Sequence, residues 1–466
     1  MSFAGNSHSP APNHEKYFSD SQVTPFPLDA YPAIKLSETR KQNLFIKLPA
    51  RARPELFERV SNRRYTPLSW KVVKINDGAS AEAKTCWYVV ISGGTKCYSN
   101  IYKMSKINPP HLKVTHGEVD LLEYSRWAKK TYGMRIARDL LYYRMNQIDS
   151  SKGKIEARVL QTTKNPNLSF PDALVNLPAA HKKRIGFFVV YGLDVTDGDS
   201  PNRALIRSAA SKAKDFGFYT KIFDTLPFGN SDKNAEMIGA QFVEESRFVD
   251  EIVILSVSKG TADVIRTLVV RQKEVMNQFP KEKLKLVVSL VGAVRESYIA
   301  NWIVQSDSAT PFVLKTFLKS KKGDVLEGIK SLASGPWENK NPKSLGDLYP
   351  NLNWLTFSML PEGPDGHLKI SAKADFIRES ITANEENISP GDGLMESAAT
   401  LLPPGTMVPQ YVVRGFGPHT LALGRFADST PISKLQNAQA PVIPEAGAEI
   451  LDSFLRAIPK SLIEGR

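Results

Sequence analysis

The chain has 466 residues, of which 42% are hydrophobic and 23% charged, and its formal net charge is +13. This length exceeds one typical domain, and the composition lies in the ordinary globular range, which excludes a mainly disordered or fibrous protein. No apolar run reaches the roughly 18 residues needed to span a bilayer. The first residues lack the apolar stretch of a secretory signal, so the chain as given is predicted to be soluble. A secreted or periplasmic location stays open, because a signal could have been removed earlier.

The positive charge is concentrated in the first part of the chain. Residues 1–180 contain 27 Lys and Arg against 15 Asp and Glu, whereas the remainder is nearly balanced, with 34 against 33. This asymmetry predicts that the N-terminal part contacts an anionic surface, such as lipid headgroups or an envelope polymer, and nucleic acid is the less favoured partner. A solvated basic surface that aids solubility explains the charge equally well.

Three regions follow one another along the chain. Residues 1–65 are rich in Pro, Ser, Asn and Arg and predict an extended arm. Residues 66–180 form a basic region in which the runs Trp70–Ile75 and Cys86–Ile91 predict paired strands. A helical pattern then extends from Glu118 to Gln147.

Two cysteines, Cys86 and Cys97, are the only ones in the chain. They could face each other across a hairpin, where a disulfide and two reduced thiols are equally compatible with the sequence. Two cysteines provide no tetrahedral zinc set, and the sequence predicts neither a metal nor a cofactor.

From residue 181 onward, strand and helix patterns alternate, which is typical of a parallel sheet covered by helices. The strand patterns are nearly continuous apolar runs, as expected for strands buried on both faces. We therefore predict an α/β domain over residues 181–466. The predicted strands are Arg184–Tyr191, Gly217–Phe223, Glu251–Leu255, Leu284–Val291, Trp354–Met359 and Gln410–Arg414, and the predicted helices between the first of them are Pro201–Phe216 and Asp232–Glu245.

The segment EIVILSVSKGTADVIRTLVV predicts a buried strand, a tight turn at Ser258 and a helix. In a nucleophile elbow, the serine hydroxyl projects from such a turn, and the residues two before and two after it must be small. Ser256 and Gly260 are small. The segment resembles the Gly-x-Ser-x-Gly elbow of the α/β-hydrolase superfamily, particularly its lipases and esterases, with Ser256 replacing the first glycine. A structural serine that caps the following helix is the alternative.

The resemblance implies a histidine base and an acid that follow the serine in the order Ser, acid, His. Of the two histidines far enough along the chain, His419 is favoured over His367, because His419 follows a β-like run and a Gly-rich turn. The favoured acid is Asp392, since ISPGDGLMES resembles the acid-bearing GDGLV stretch of many lipases. Asp365, which follows a predicted strand, is the alternative acid, and an ordinary Asp-Gly turn is the other interpretation of Asp392.

The resemblance also implies an oxyanion hole and a lid. The backbone N–H of Lys259 and that of Leu193, in the loop after the first strand of the domain, are the expected oxyanion donors. Residues 301–349 lie where family members often insert a lid, and they mix aromatic residues with a Lys cluster. An ordinary helical excursion explains that segment equally well.

Together these residues predict a serine hydrolase that cleaves a small-molecule or lipid carboxylic ester through an acyl-enzyme. Ser258 is the expected nucleophile, His419 the base and Asp392 the orienting acid. The same triad would serve an acyltransferase or an amidase. A catalytically idle α/β-hydrolase fold that acts as a basic binding module is the remaining alternative. P-loop, Rossmann and zincin motifs are absent from the sequence, so these classes are disfavoured.

Overall fold

A computed structural model describes most of the chain from residue 118 onward and several strands before it. The described ranges are 24–26, 65–76, 80–91, 94–103, 114–115, 118–132, 134–192, 201–226, 229–305, 325–337, 340–360, 389–392, 395–416 and 445–464. No helix within these ranges combines the length and apolarity needed to cross a bilayer.

The N-terminal strands form a four-stranded antiparallel sheet in the order β1-β4-β3-β2. The two runs predicted as paired strands lie in β2 and β3. In the register of β3 and β4, Cys86 lies opposite Ser99 and Cys97 lies opposite Tyr88, so the cysteines are diagonal rather than direct cross-strand partners. The strands are β1 (Thr24–Phe26), β2 (Tyr65–Asn76), β3 (Ser80–Ile91) and β4 (Gly94–Lys103), followed by the short antiparallel pair β5 (Val114–Thr115) and β6 (Glu118–Val119).

The helical pattern predicted over Glu118–Gln147 corresponds to two helices rather than one. Helix α1 ends at Tyr132 and α2 begins at Met134, on either side of a glycine, which is among the residues least favourable in a helix interior. The helices of this part are α1 (Leu121–Tyr132), α2 (Met134–Ile148), α3 (Lys154–Lys164) and the short α4 (Ala179–Lys182).

A six-stranded sheet forms the centre of the rest of the chain, and all its neighbouring strands are parallel, in the order β12-β11-β10-β9-β7-β8. Every strand predicted after residue 181 is present, with bounds that differ by a few residues. The strands are β7 (Ile185–Val190), β8 (Tyr219–Ile222), β9 (Glu251–Val257), β10 (Leu284–Leu290), β11 (Asn353–Leu360) and β12 (Gln410–Phe416).

Helices cover both faces of this sheet, and successive residues of each inner strand enter opposite apolar clusters. Phe187 and Val189 pack with α3, α5 and α12, whereas Phe188 and Val190 pack with α6 and the helix after β9. This two-sided burial explains the continuous apolar runs in the sequence. The helices are α5 (Pro201–Asp215), α6 (Ser231–Glu245), α7 (Lys259–Ile265), α8 (Gln272–Val275), α9 (Tyr298–Gln305), α10 (Val325–Ala333), α11 (Ser344–Leu348) and α12 (Glu445–Ala457).

The edge strand β12 is covered by the segment that connects α2 to α3 and by the first turn of α3. Asp149 Oδ1 accepts a hydrogen bond from Val412 N at 3.3 Å, and Glu156 Oε2 accepts one from Arg414 N at 2.8 Å. Between them, Ser150 N donates to the Gln410 carbonyl at 2.8 Å. Backbone groups that an edge strand would leave unpaired are therefore bonded within the chain.

Candidate active site

Ser258 occupies a strained turn between the central strand β9 and helix α7. Its φ is 50° and its ψ is −124°, a backbone conformation that non-glycine residues rarely adopt. The residue is half-buried, and its side chain makes no capping hydrogen bond to α7. The tight strand-to-helix turn predicted at Ser258 is therefore present, and the Ser258 side chain does not cap the helix, as the alternative would require.

The backbone of Ser258 is fixed by hydrogen bonds to its own helix and to the next strand. Ser258 N donates to the Leu290 carbonyl at 3.0 Å, and the Ser258 carbonyl accepts from Thr261 N at 3.1 Å and from Ala293 N at 2.9 Å. The loop that supplies Ala293 contains a second strained residue, Val291, with a φ of 43°. Strain of this kind persists only where the surrounding structure holds it.

The segment after β7 lies directly against the elbow. A Cβ added to Gly192 would lie 2.7 Å from the Val257 carbonyl oxygen and 2.9 Å from Ser258 Cβ. Both distances are too short for non-bonded atoms, so a larger residue would clash here. The same Cβ would lie 3.1 Å from Lys259 N. The chain leading to Leu193 therefore passes beside the Lys259 N–H, the other expected oxyanion donor.

Gly260 is required to be small for the same steric reason. A Cβ at this position would lie 2.7 Å from the carbonyl oxygens of both Val190 and Tyr191. Helix α7 therefore starts in close contact with the end of β7, which is the constraint that the elbow motif predicts at this position.

Ser256, which replaces the usual first glycine, has a bonding role that its small size alone did not suggest. Its hydroxyl lies 2.8 Å from Thr261 Oγ1, which in turn lies 3.3 Å from Ser289 Oγ, and all three residues are fully buried. These hydroxyls link β9, α7 and β10 directly beneath the turn. A serine here therefore preserves the elbow and adds hydrogen bonds to its support.

The Lys259 side chain is buried in an ion pair that the sequence analysis missed. Its Nζ lies 2.7 Å and 2.9 Å from the two carboxylate oxygens of Asp263, one helical turn later, and both side chains are almost fully buried. Asn234 Nδ2 donates to Asp263 Oδ2 at 2.7 Å, and Asn234 Oδ1 accepts from Leu226 N at 2.8 Å. The i,i+4 spacing of Lys and Asp was the one sequence signal for this pair.

The elbow helix continues into a wider π-helical turn over Arg266–Val270. Such turns interrupt the regular hydrogen-bond ladder and are frequent at functional sites. The Leu268 carbonyl in this turn accepts a hydrogen bond from Tyr349 Oη at 3.1 Å. Burial raises the pKa of Tyr349, so its hydroxyl remains a neutral donor at physiological pH.

Asp392 lies on the loop that follows β11. The residue is 1% exposed, its Oδ1 accepts a hydrogen bond from Met395 N at 2.8 Å, and its own N–H donates to the Met395 carbonyl at 3.0 Å. Met395 belongs to one apolar cluster with Ala262 of α7 and Ala293 of the loop after β10. The segment that carries Asp392 therefore packs in the same apolar cluster as α7 and the loop after β10.

The remaining predicted site residues lie outside the described residues: Leu193, Asp365, His367 and His419. Strand β12 ends at Phe416, three residues before His419 in sequence. The predicted lid is described in part, as helices α9, α10 and α11, and residues 306–324 lie outside the described ranges. Within those ranges no group of three or more His, Cys, Asp or Glu side chains could hold a metal ion.

No protein-family model matches the chain, and no curated protein matches it. Solved structures do match. A metagenomic carboxyl esterase shares 16% identity at a TM-score of 0.39, over 59% of this chain and 75% of that chain. A mature Bacillus licheniformis lipase shares 18% sequence identity at a TM-score of 0.37, over 56% of this chain and 93% of that chain. Carboxyl esterase 2 of the fungus Tuber melanosporum shares 13% sequence identity at a TM-score of 0.30, over 58% of this chain and 78% of that chain. In its described residues, the chain has an α/β fold in which helices cover a parallel six-stranded sheet, as its sequence predicts.

Proposed function

We propose that the chain is a serine hydrolase that cleaves a carboxylic ester through an acyl-enzyme. Ser258 is the nucleophile, His419 the base and Asp392 the acid that orients the histidine. The observation that supports the proposal best is the strained turn at Ser258, which ends the central strand and is held by hydrogen bonds from both sides. Strain kept at one residue without a capping role favours a functional hydroxyl.

The reaction follows from these assignments. The His419 imidazole accepts the Ser258 proton as Oγ attacks the acyl carbon, and Asp392 stabilises the imidazolium that forms. The negative charge that develops on the carbonyl oxygen is bound by the N–H groups of Lys259 and Leu193. Collapse of the tetrahedral intermediate breaks the bond to the alcohol, which leaves with the proton from His419. Water then attacks the acyl-enzyme by the same route and releases the acid.

Covalent labelling of the full chain tests the proposal. A fluorophosphonate probe is expected to label the wild-type protein and not Ser258→Ala, and Ser258→Ala is expected to lower turnover of nitrophenyl esters by about 10⁴ to 10⁶. Ser334→Ala, at an exposed serine of the chain, is the matched control and should be labelled and active as the wild type is. Labelling that persists in Ser258→Ala, or a wild-type protein that neither reacts nor turns over, would contradict the proposal.

The same protein separates the alternative chemistries. A panel of esters, thioesters and amides of graded acyl length, each with and without an alcohol acceptor, measures hydrolysis and acyl transfer in parallel. Ester hydrolysis is expected to exceed the other reactions. A wild-type protein that is neither labelled nor active on any substrate of the panel would favour the catalytically idle binding module.

A further inference from the structure

The loop that carries Asp392 is closed by a buried carboxylate, that of Glu396. Glu396 is 3% exposed, and its Oε1 accepts a hydrogen bond from Ser389 N at 2.9 Å, at the other end of the loop. The backbone reinforces this closure, because Gly391 and Glu396 form an antiparallel bridge and Ser397 N donates to the Pro390 carbonyl at 2.8 Å. The position of Asp392 therefore depends on where the Glu396 carboxylate is held.

Glu396 is held by an arginine that precedes it by 270 residues in sequence. Arg126 of α1 donates from Nε to Glu396 Oε1 at 3.0 Å and from Nη2 to Oε2 at 2.5 Å, a forked pair. Burial alone would lower the pKa of Arg126, but the hydrogen bonds and charge of Glu396 raise it above its ordinary value. The arginine is therefore a permanent cation facing a carboxylate that is withdrawn from water.

A second contact fixes α1 next to the elbow. Asp120, which caps α1 through the N–H groups of Leu122 and Glu123, accepts a hydrogen bond from Arg295 Nη1 at 2.5 Å. Arg295 lies two residues after Ala293, and its N–H donates to the Ala399 carbonyl at 2.9 Å. Helix α1 is thus bonded both to the loop after β10 and to the acid loop.

We infer that Arg126 is a positioning residue for Asp392. Its charge offsets that of the buried Glu396 carboxylate, and its fork fixes the direction of that side chain, which in turn holds the segment that carries Asp392. This inference rests on the proposed role of Asp392 as the triad acid. It places part of the catalytic apparatus in α1, ahead of the predicted domain of residues 181–466. Removing one partner of a buried ion pair leaves an uncompensated charge, and either movement of the loop or protonation of Glu396 would then weaken its hold on Asp392.

The test is made on the full chain with Arg126→Met. Displacement of the acid by about 1 Å is expected to lower kcat by about 10²-fold with little change in KM. The acid limb of the pH profile of kcat/KM should shift to lower pH, because the imidazolium loses its neighbouring carboxylate. A purely structural loss of folded protein would lower activity without moving this profile.

Rescue distinguishes the inferred mechanism from nonspecific damage. In the double variant Arg126→Met, Glu396→Gln, no buried charge is left unpaired, and kcat should recover toward the wild-type value. Arg158→Met is the matched control, because Arg158 forms a similar fork with Asp172 at 2.9 Å and 2.6 Å on α3 and should leave the pH profile unchanged. If Arg126→Met does not fold, kcat and the pH profile are measured on Arg126→Gln instead.

Two outcomes would overturn the inference. One is a folded Arg126 variant with wild-type kcat and pH profile. The other is a folded double variant as slow as its single parent. Either result leaves the proposed function intact if Ser258→Ala abolishes labelling and turnover, whereas failure of the wild type to react with the fluorophosphonate would remove the proposed function itself.

Discussion

Lys259 shows how one residue serves the elbow in two ways. Its N–H is an expected oxyanion donor, while its ammonium lies with Asp263 in a nearly solvent-free pair. Through Asn234, the pair also fixes the backbone of Leu226, in the loop after β8. A buried lysine beside Ser258 therefore connects helix α7 to α6 and to a neighbouring loop.

Replacing Lys259 by methionine should destabilise the protein by about 3–5 kcal/mol, because the Asp263 carboxylate stays buried without its counter-charge. Urea unfolding measures this loss. Lys330→Met is the control, since it breaks an ion pair of α10, with Glu327, in which the two side chains are 50% and 47% exposed, and a change below about 1 kcal/mol is expected. A Lys259→Met protein as stable as the wild type would show that the buried pair contributes nothing.

At the scale of elements, the Asp149 and Glu156 carboxylates accept the backbone hydrogen bonds of β12 that a further strand would otherwise accept. Glu156 accepts hydrogen bonds from Arg414 N at 2.8 Å and Nε at 2.6 Å, and its other oxygen accepts from Nη2 at 2.8 Å. Burial by itself would lower the pKa of Arg414, and the Glu156 carboxylate more than reverses this. The strand that leads toward His419 is held by this carboxylate.

Substituting Glu156 by glutamine should destabilise the protein by about 3–5 kcal/mol, because a buried guanidinium then lacks its counter-charge. Amide hydrogen exchange at Val412 and Arg414 should accelerate together, since both N–H groups bond to this covering segment. Glu274→Gln, at a glutamate that is 63% exposed and paired with Arg271, provides the comparison and should cost less than about 1 kcal/mol. Unchanged exchange in Glu156→Gln would mean that other contacts hold the edge.

At the scale of the whole molecule, the helices before residue 181 share the core of the sheet. Ile155 and Val159 of α3 lie in the same apolar cluster as strand residues Phe187 and Val253. Arg126, Asp149 and Glu156 add the polar contacts described above. We therefore propose that the folding unit of the sheet begins ahead of Leu121, and not at the predicted boundary of residue 181.

Truncation tests that boundary. A fragment of residues 113–466 should unfold cooperatively, whereas one of residues 181–466 should lose its cooperative transition, because it exposes the part of the sheet face that α3 covers and the edge of β12. Thermal unfolding followed by circular dichroism compares both with the full chain. A cooperative transition of the shorter fragment at the temperature of the full chain would restore the predicted boundary.

The anionic partner of the basic N-terminal region stays a prediction, since the side chains of residues 1–118 lie outside those described.

The amino-acid sequence alone determined the class of the fold and the place of the tight turn at Ser258. Strands buried on both faces must be continuously apolar. The runs Arg184–Tyr191 and Glu251–Leu255 therefore predict a parallel sheet from local sequence alone. The elbow is equally local, because its steric demand falls on Ser256 and Gly260, two positions from Ser258. The break between α1 and α2 was missed, since an apolar pattern continues across it.

Only the tertiary structure decided the partners of the charged residues. Arg126 and Glu396 are one arginine among many and one glutamate among many until the order of the strands brings α1 beside the loop after β11. The same holds for Glu156 with Arg414 and for Asn234 with Asp263. Apolar periodicity indicates which residues of one segment are buried. The sequence does not indicate which opposite charge a charged residue will meet, because that depends on how the chain folds between the two residues.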